Sequence, residues 1–153
     1  EDRPGACRYY PIGRGTKMAA DGVAERFFIV RESHCRGFDK GTSRTPQQWM
    51  KNEELQPFNE ANDRYMRLMA MVRATGKPLE ARMATTAVLC LFQIDKFREL
   101  INAMNMFSHV VIDAARKTAI MEDSLDGDVA ALNFALDWLE LIIFGQSQGL
   151  AKK

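Results

Sequence analysis

Residues 77–121 read KPLEARMATTAVLCLFQIDKFRELINAMNMFSHVVIDAARKTAIM, and this stretch decides the fold that the sequence predicts. From Leu79 to Thr86, apolar and polar side chains alternate, as they do in a strand with one apolar face. A helical segment, a three-residue break and a second helix ending at Met121 follow. A strand followed by two helices is typical of a ribbon-helix-helix DNA reader, which pairs two copies through their strands.

A paired strand over Leu79 to Thr86 would form an antiparallel ribbon narrow enough to enter the major groove of DNA. Arg82 would lie on the outward face of this ribbon, where an arginine suits the O6 and N7 acceptors of guanine. Ser108 and the first amides of the second helix would hold a phosphate, because a helix N-terminus attracts anions. The stretch thus predicts a base contact from Arg82 and a phosphate contact near Ser108.

Two other interpretations of this stretch remain open on the sequence alone. Leu, Glu, Ala, Arg and Met favour helices, so a single helix could run over about residues 80–106 with Val88, Leu91 and Phe92 buried. Alternatively, the β preference of residues 85–92 favours a strand there, which leaves a helix over 94–105 but points leucines at DNA. Periodicity does not decide between these interpretations.

Length and composition set the class of protein. At 153 residues and 46% hydrophobic content, the chain is long enough for one domain with its own core. No apolar run approaches the length of a membrane-spanning helix. Cys7, Cys35 and Cys90 are widely spaced, which fits a reducing cytoplasm better than a disulfide framework. Because the chain begins with Glu1 rather than Met, we expect that a preceding segment has been removed.

The net charge of +1 hides an uneven distribution along the chain. Residues 3–51 contain ten Lys or Arg and four Asp or Glu, a balance of +6, whereas residues 84–153 contain six and nine, a balance of −3. A basic first third suits a surface that faces phosphates, because each neutralised phosphate releases counterions. The same excess of positive charge is expected if this part is an Arg-rich loop region that keeps the chain in solution or binds an acidic partner.

The first 44 residues are expected to be loop-rich with one small β element. Residues 8–12 (RYYPI) and 26–31 (RFFIVR) combine aromatic and β-branched residues and could pair as a hairpin. Residues 13–17, GRGTK, are predicted to form the turn or loop between them. Residues 33–44 carry no periodicity and are predicted to form a surface loop.

About five helices are predicted in the rest of the chain. Thr45, Pro46 and Gln48 indicate a short capped helix that ends before Pro57. The others are expected over residues 61–74, within the ambiguous stretch, over 108–121 with Ser108 as N-cap, and over 128–144, before a frayed tail at 146–153.

No arrangement of residues predicts catalysis or a bound cofactor. His34, Cys35 and Cys7 lack the paired spacing of zinc ligands. Cys90 lies in an apolar run, which predicts a buried and unreactive thiol. Residues 13–17 lack the spacing of a phosphate-binding loop, and the acidic run 122–128 has Asn133 where a calcium loop needs a glutamate. We therefore expect no metal site, no cofactor and no enzyme.

Three segments of the deciding stretch carry a family resemblance. Residues 77–79 read KPL, residues 87–100 read AVLCLFQIDKFREL, and residues 108–113 read SHVVID. Over these segments, about a third of the chain, the sequence resembles the AcaB family, transcriptional activators encoded by conjugative plasmids and integrating conjugative elements. The resemblance implies DNA binding by a ribbon-helix-helix dimer.

The predicted fold class is α-dominated α+β, with about five helices and a small β element that forms a ribbon-helix-helix dimer. One domain would cover residues 1–153, comprising a basic N-terminal region (1–44), a mainly helical body (45–145) and the tail (146–153).

The predicted function is DNA-binding transcriptional activation of conjugative-transfer genes, by a cytoplasmic homodimer whose partners are promoter DNA and RNA polymerase. The alternative is a non-enzymatic helical interaction or assembly protein of a conjugation or secretion system. The residues predicted to contact DNA are Arg82, Glu80, Thr86, Lys77 and Ser108 in the deciding stretch, and Arg14 and Lys17 in the basic region.

Overall fold

A computed structural model of the chain describes residues 5–19, 22–34, 38 and 41–153. Within them the fold is rich in helix, with seven α-helices and two small antiparallel sheets of two strands each. The predicted class of a helical protein with a small β element is confirmed, although the helices outnumber the five expected. Contacts divide the chain into two compact units, Glu1–Ala70 and Met71–Lys153.

The first unit is built around a β-hairpin and helices on either side of it in sequence. Strands β1 and β2 pair in antiparallel register from Ile12 with Ile29 to Ala19 with Gly22. The elements in chain order are α1 (Gly5–Tyr9), β1 (Ile12–Ala19), β2 (Gly22–Ile29), α2 (Pro46–Asn52) and α3 (Gln56–Ala74), which begins in this unit.

The first unit has a hairpin, as predicted, but with other strand bounds: β2 contains residues 26–29 of the predicted strand 26–31, whereas β1 shares only Ile12 with the predicted strand 8–12. Residues 13–17, expected to form the connecting loop, instead form the middle of β1. Glycine is required at Gly13 because the ring of Phe28 lies across it, in the space that a Cβ would occupy. Of the predicted strand 8–12, Arg8 and Tyr9 belong to α1. Parts of the predicted loop 33–44 lie outside the described residues.

The first turn of α2 has the capping arrangement that the sequence predicts. The Gln48 amide N–H donates to the Thr45 hydroxyl at 3.2 Å, and the Thr45 amide N–H donates to the Gln48 side-chain oxygen at 2.8 Å. Pro46 occupies the first helical position, where its missing N–H costs nothing. The next helix, α3, begins five residues earlier than the predicted residue 61, at Gln56.

The second unit packs its helices around α7, whose central residues are buried. Phe134 of α7 lies at the centre of an aromatic cluster, with ring centroids 6.0 Å from Phe97, 5.4 Å from Phe107 and 6.3 Å from Trp138. Each such pair adds about 0.5–1.5 kcal/mol beyond the apolar area that it buries. The elements are α4 (Ala81–Phe92), α5 (Ile94–Ala103), β3 (Val110–Val111), α6 (Ala114–Met121), α7 (Leu125–Phe144) and β4 (Ala151–Lys152).

The predicted strand over Leu79 to Thr86 is wrong, because α4 is a helix from Ala81 to Phe92. The alternative strand at 85–92 is wrong for the same reason. The helix accommodates the β-preferring Thr85 and Thr86, because each side-chain hydroxyl donates to the carbonyl four residues earlier at 3.0 Å. The chain therefore has no strand here through which two copies could pair.

The single helix predicted over 80–106 is also wrong, although its helical character at 81–92 is right. Gln93 has φ −135° and ψ 66°, outside the helical region, and it separates α4 from α5. The break allows α5 to bury Phe97 and Ile101 while α4 buries Cys90. Val88 and Phe92, which the long helix was expected to bury, are 52% and 70% exposed.

Two predicted helix starts are displaced in the structure. Ser108 belongs to a short 3-10 turn, Met106–Ser108, and Asp113 instead caps α6 by accepting from the Arg116 amide at 2.8 Å. The last helix begins at Leu125, where Ser124 caps it by accepting from the Gly127 amide at 3.0 Å. Asp126 and Asp128 lie in its first turn, where the helix dipole favours negative charge.

The C-terminal residues are ordered, so the frayed tail predicted over 146–153 is wrong. Leu150 is buried, and β4 pairs with β3 in antiparallel register. The carboxylate of Asp137 accepts hydrogen bonds from Arg116 at 2.5 Å and from Ser147 at 3.2 Å. Arg116 also donates to the carbonyl of Gly149 at 2.7 Å, which ties the tail to α6 and α7.

Candidate nucleic-acid interface

The residues predicted to contact DNA do not converge on one surface element. Arg14 and Lys17 lie on β1 in the first unit, whereas the remaining five lie in the second unit. Among those five, Lys77 precedes α4, Glu80 is its N-cap residue without a side-chain cap, and Arg82 and Thr86 lie within it. Arg82 and Glu80 are exposed, but on a helix rather than on the ribbon that the sequence predicts.

Ser108 does not lie at a helix start, where the sequence predicts a phosphate contact. The Ser108 hydroxyl donates to the carbonyl of Asn105 at 2.7 Å within the 3-10 turn. Ser108 precedes the N-cap of α6, Asp113, by five residues, and the Asp113 carboxylate accepts from the Arg116 amide, one of those that a phosphate would use. The anion site expected at this helix start is therefore filled by the chain itself.

Arg14 is held inside the first unit by two carboxylates. Its Nη2 donates to both oxygens of Asp63 at 2.9 and 3.0 Å, its Nε donates to Glu25 at 2.7 Å, and its side chain is only 7% exposed. Burial acts to lower the pKa of Arg14, but hydrogen bonds to Glu25 and Asp63 raise it, and the net pKa is raised. A guanidinium engaged in this way is not available to a phosphate.

The register of the hairpin gives it two chemically different faces. Side chains opposite each other in an antiparallel pair lie on the same face, and successive side chains alternate between faces. The inner face comprises residues 12, 14, 16 and 18 with 23, 25, 27 and 29, and it meets α3 through the Arg14–Asp63 ion pair. The outer face comprises residues 13, 15 and 17 of β1 with 24, 26 and 28 of β2.

The outer face combines cations, an aromatic ring and a glycine-lined strand. Lys17 and Arg26 are exposed, and neither forms an ion pair with another described residue. They are diagonal neighbours, because Lys17 pairs with Ala24 two residues before Arg26, and such neighbours lie about 7–8 Å apart, with their Cβ atoms somewhat closer. Phe28, opposite Gly13, is 57% exposed. This face offers two free positive charges beside a flat apolar surface.

Arg26 and Phe28 are not among the residues that the sequence predicts to contact DNA. The run RFFIVR predicts a strand, and the register of the hairpin places Arg26 and Phe28 outward and Phe27 inward. That signal was present in the sequence and required only the strand register. The partner of Arg14, Asp63, lies 49 residues away and had no comparable signal.

Cysteine chemistry in the described residues is limited to two thiols. Cys7 is exposed and free, and Cys90 is buried, as its apolar surroundings predict. Burial raises the pKa of the Cys90 thiol to about 12, so it stays protonated and unreactive near neutral pH. Cys35 lies outside the described residues. Within the described ranges, no cluster of three or more His, Cys, Asp or Glu side chains could hold a metal ion.

Comparison of the chain with protein-family models, curated proteins and solved structures found no match. Among the described residues, no helix combines the length and the apolar character needed to cross a membrane.

Proposed function

We propose that this protein is a DNA-binding transcriptional regulator that contacts duplex DNA through the outer face of the β1–β2 hairpin. The observation that carries the proposal is the pair of exposed cations, Lys17 and Arg26, on the face of the hairpin that does not meet α3. The balance of +6 over residues 3–51 supports it, because this basic region surrounds the hairpin in the sequence. The resemblance to the AcaB family suggests promoters of conjugative-transfer genes as the target.

A two-stranded antiparallel ribbon is an established shape for entering the major groove. Arg26 would donate to the O6 and N7 acceptors of guanine, and Lys17 would neutralise a phosphate. The ring of Phe28 lies over Gly13, so it is this ring rather than the β1 backbone that would meet DNA at that position. Phe28 offers an apolar surface suited to a thymine methyl group. Each group on this face thus matches a contact that DNA provides.

The proposal includes a homodimer and, for an activator, RNA polymerase as a second partner. Two cations from one hairpin give few phosphate contacts, whereas a two-fold dimer would present two hairpins to two half-sites. Pairing through residues 79–86 is excluded because they do not form a strand. The dimer would use another surface, and transcription would place it in the cytoplasm.

The proposal is tested by the salt dependence of binding, measured by fluorescence anisotropy on labelled duplexes from transfer-gene promoters. Wild type should bind with a log–log salt slope that reflects its phosphate contacts. The double variant Lys17→Ala/Arg26→Ala should bind more weakly, and its slope should be shallower by about one for each phosphate that the variant no longer neutralises. The matched control, Lys77→Ala/Arg82→Ala, removes two exposed cations from the second unit and should leave the slope unchanged.

Two results would contradict the proposal. Absence of binding by wild type to every duplex at low salt would remove DNA as the partner. A shallower salt slope for Lys77→Ala/Arg82→Ala, with an unchanged slope for Lys17→Ala/Arg26→Ala, would place the DNA interface at α4 instead of the hairpin.

A second candidate function is that of a helical interaction protein, and the outward side of α4 supports it. Val88 and Phe92 are four residues apart on this helix and are 52% and 70% exposed. With Ala81 and Thr85, also exposed, they follow the four-three-four spacing of a helix-pairing seam, for which a second copy of this chain is a suitable partner.

Light scattering distinguishes the oligomeric states, because a dimer would have twice the monomer mass of 17.4 kDa. Phe92→Ser should convert a dimer paired through α4 to a monomer. Leu125→Ser, which also replaces an exposed apolar side chain near a helix end, should leave the mass unchanged. A wild-type monomer at high concentration would rule out pairing through this seam.

A further inference from the structure

The first unit contains a cleft between α1, the inner face of β1 and the first half of α3. Its volume is about 640 Å³, within the range of about 300–1,000 Å³ typical of small-molecule sites. Its walls are mainly apolar and aromatic, and Gly5 and Ala6 of α1 line one side, where the ring of Phe58 lies against Gly5. The larger side chains that line it include Tyr9, Ile12, Phe58, Tyr65 and Met66.

The described residues that line this cleft include one charged side chain, Arg14. Its guanidinium pairs with two carboxylates, Glu25 and Asp63, which are not among the lining residues. Burial raises the pKa of Tyr9, so its hydroxyl stays neutral near pH 7. A ligand carrying a net charge would lose hydration on entry without gaining a counter-charge. The cleft therefore favours a neutral molecule.

Polar groups at the cleft divide into those already engaged and those still available. The Tyr9 hydroxyl donates to the Asn59 side-chain oxygen, and the Asn59 amide donates to the sulfur of Met50. The Asn62 amide and the hydroxyls of Thr16 and Tyr65 form no hydrogen bond with other described residues. An asparagine amide both donates and accepts, so it can pair with a ligand edge that carries an acceptor beside a donor.

We infer that this cleft binds a neutral aromatic small molecule with an amide-like edge. The ring would lie between the apolar walls formed by Phe58, Tyr65 and Ile12, where aromatic contacts add to the apolar area buried. The amide-like edge would pair with the side chain of Asn62, and Thr16 or Tyr65 would supply a further hydrogen bond. This inference does not depend on DNA binding, because none of the outer-face cations takes part.

Three probes of equal size and different charge test the inference on the full chain. Benzamide is neutral and carries the expected edge, benzoate is anionic, and benzamidine is cationic. Ligand-detected NMR should give a benzamide affinity at least about tenfold higher than that of either charged analogue. Asn62→Ala should weaken benzamide about tenfold, because it removes the paired amide. Glu60→Ala, a control on the same helix outside the cleft, should not change it.

A second variant makes the test independent of the polar contact. Ala6→Phe fills the cleft from its exposed side without altering a buried residue, and it should abolish benzamide binding while the far-ultraviolet circular dichroism is retained. The inference is overturned if benzamide binds no better than benzoate. It is equally overturned if binding survives both Asn62→Ala and Ala6→Phe.

Discussion

Arg14 and Lys17 lie three residues apart on β1, and strand alternation gives them opposite environments. Arg14 points inward and is fixed by two carboxylates, whereas Lys17 points outward and is free of ion pairs with the described residues. Composition treats both as basic residues of the same region, but only one of them can meet a phosphate. The function of a charged residue here depends on which face of the hairpin carries it.

Asp63 is the residue whose replacement should test the structural role of Arg14. Asp63→Asn removes the charge that faces a guanidinium only 7% exposed, and we expect the free energy of unfolding to fall by about 1–3 kcal/mol. The decrease stays moderate because Glu25 still pairs with Arg14. Urea denaturation followed by circular dichroism measures it, with Glu60→Gln as the control on α3. Equal stability of both variants would show that the Arg14–Asp63 pair contributes nothing.

Cys90 provides a probe of opening in the second unit. In a chain carrying Cys7→Ser and Cys35→Ser, the Cys90 thiol should react with a disulfide reagent only as fast as the protein opens, because it is fully buried. Urea below the unfolding midpoint should therefore accelerate labelling. Rapid labelling of Cys90 in the native protein would contradict its burial.

The same thiol predicts a direction for stability with pH. Its pKa is about 12 in the folded protein and 9.0 in the unfolded reference, so the unfolded thiol ionises first as pH rises. The free energy of unfolding should then decrease above about pH 9, and Cys90→Ala should show a smaller decrease. Denaturant midpoints measured between about pH 8 and pH 10.5 test this direction. An equal decrease in both proteins would assign it to other groups.

At the scale of elements, α4 shows why the deciding stretch was ambiguous. Its alternating start suited a strand, and its residue types suited a helix. As a helix, this segment buries Cys90 and packs against α7, and the Thr85 and Thr86 hydroxyls find acceptors within the helix. The packing against α7 cannot be obtained from a local pattern. Local signals did suffice where the chain caps itself, as at Thr45 before α2.

Long-range contacts account for the remaining elements that the sequence could not predict. Arg98 of α5 donates to the carbonyls of Ile120 at 2.9 Å and Glu122 at 2.8 Å, which fixes the end of α6. The tail depends on Asp137 in the same way. Such contacts join residues that are far apart in the sequence, so no local pattern predicts them. The candidate interface was partly predictable. Lys17 was predicted to contact DNA, and the register of the β1–β2 hairpin is enough to place Arg26 on the same face.

The ordered tail yields a prediction at the level of the element. A Cβ added at Gly149 would overlap the carboxylate of Asp137, so Gly149→Ala should displace the tail and open the β3–β4 pair. We expect faster hydrogen exchange at the Lys153 amide, which donates to the His109 carbonyl at 3.1 Å. The neighbouring control, Gln148→Ala, should leave exchange unchanged. Unaltered protection in Gly149→Ala would mean that the tail tolerates the added methyl group.

At the scale of the whole molecule, the net charge differs between the first and the last part of the chain. The balance of +6 over residues 3–51 contrasts with −3 over residues 84–153, and the hairpin with its two free cations belongs to the basic region. Counted over the two compact units, residues 1–70 carry twelve Lys or Arg and ten Asp or Glu, a balance of +2, and residues 71–153 carry nine and ten, a balance of −1. This smaller difference has the same sign, and it favours phosphate contact through the first unit. The central claim that follows is that DNA meets the outer face of the β1–β2 hairpin and not α4.

The most direct test of this claim is an NMR titration of the full ¹⁵N-labelled chain with promoter duplex. We expect the Arg26 guanidinium Nε–H and the backbone amides of residues 13–17 and 24–28 to shift together as DNA is added. Arg14 Nε–H, held by Glu25, should shift little, and α4 should not respond. Shifts confined to Arg82 and its neighbours on α4, with the hairpin unchanged, would contradict the claim.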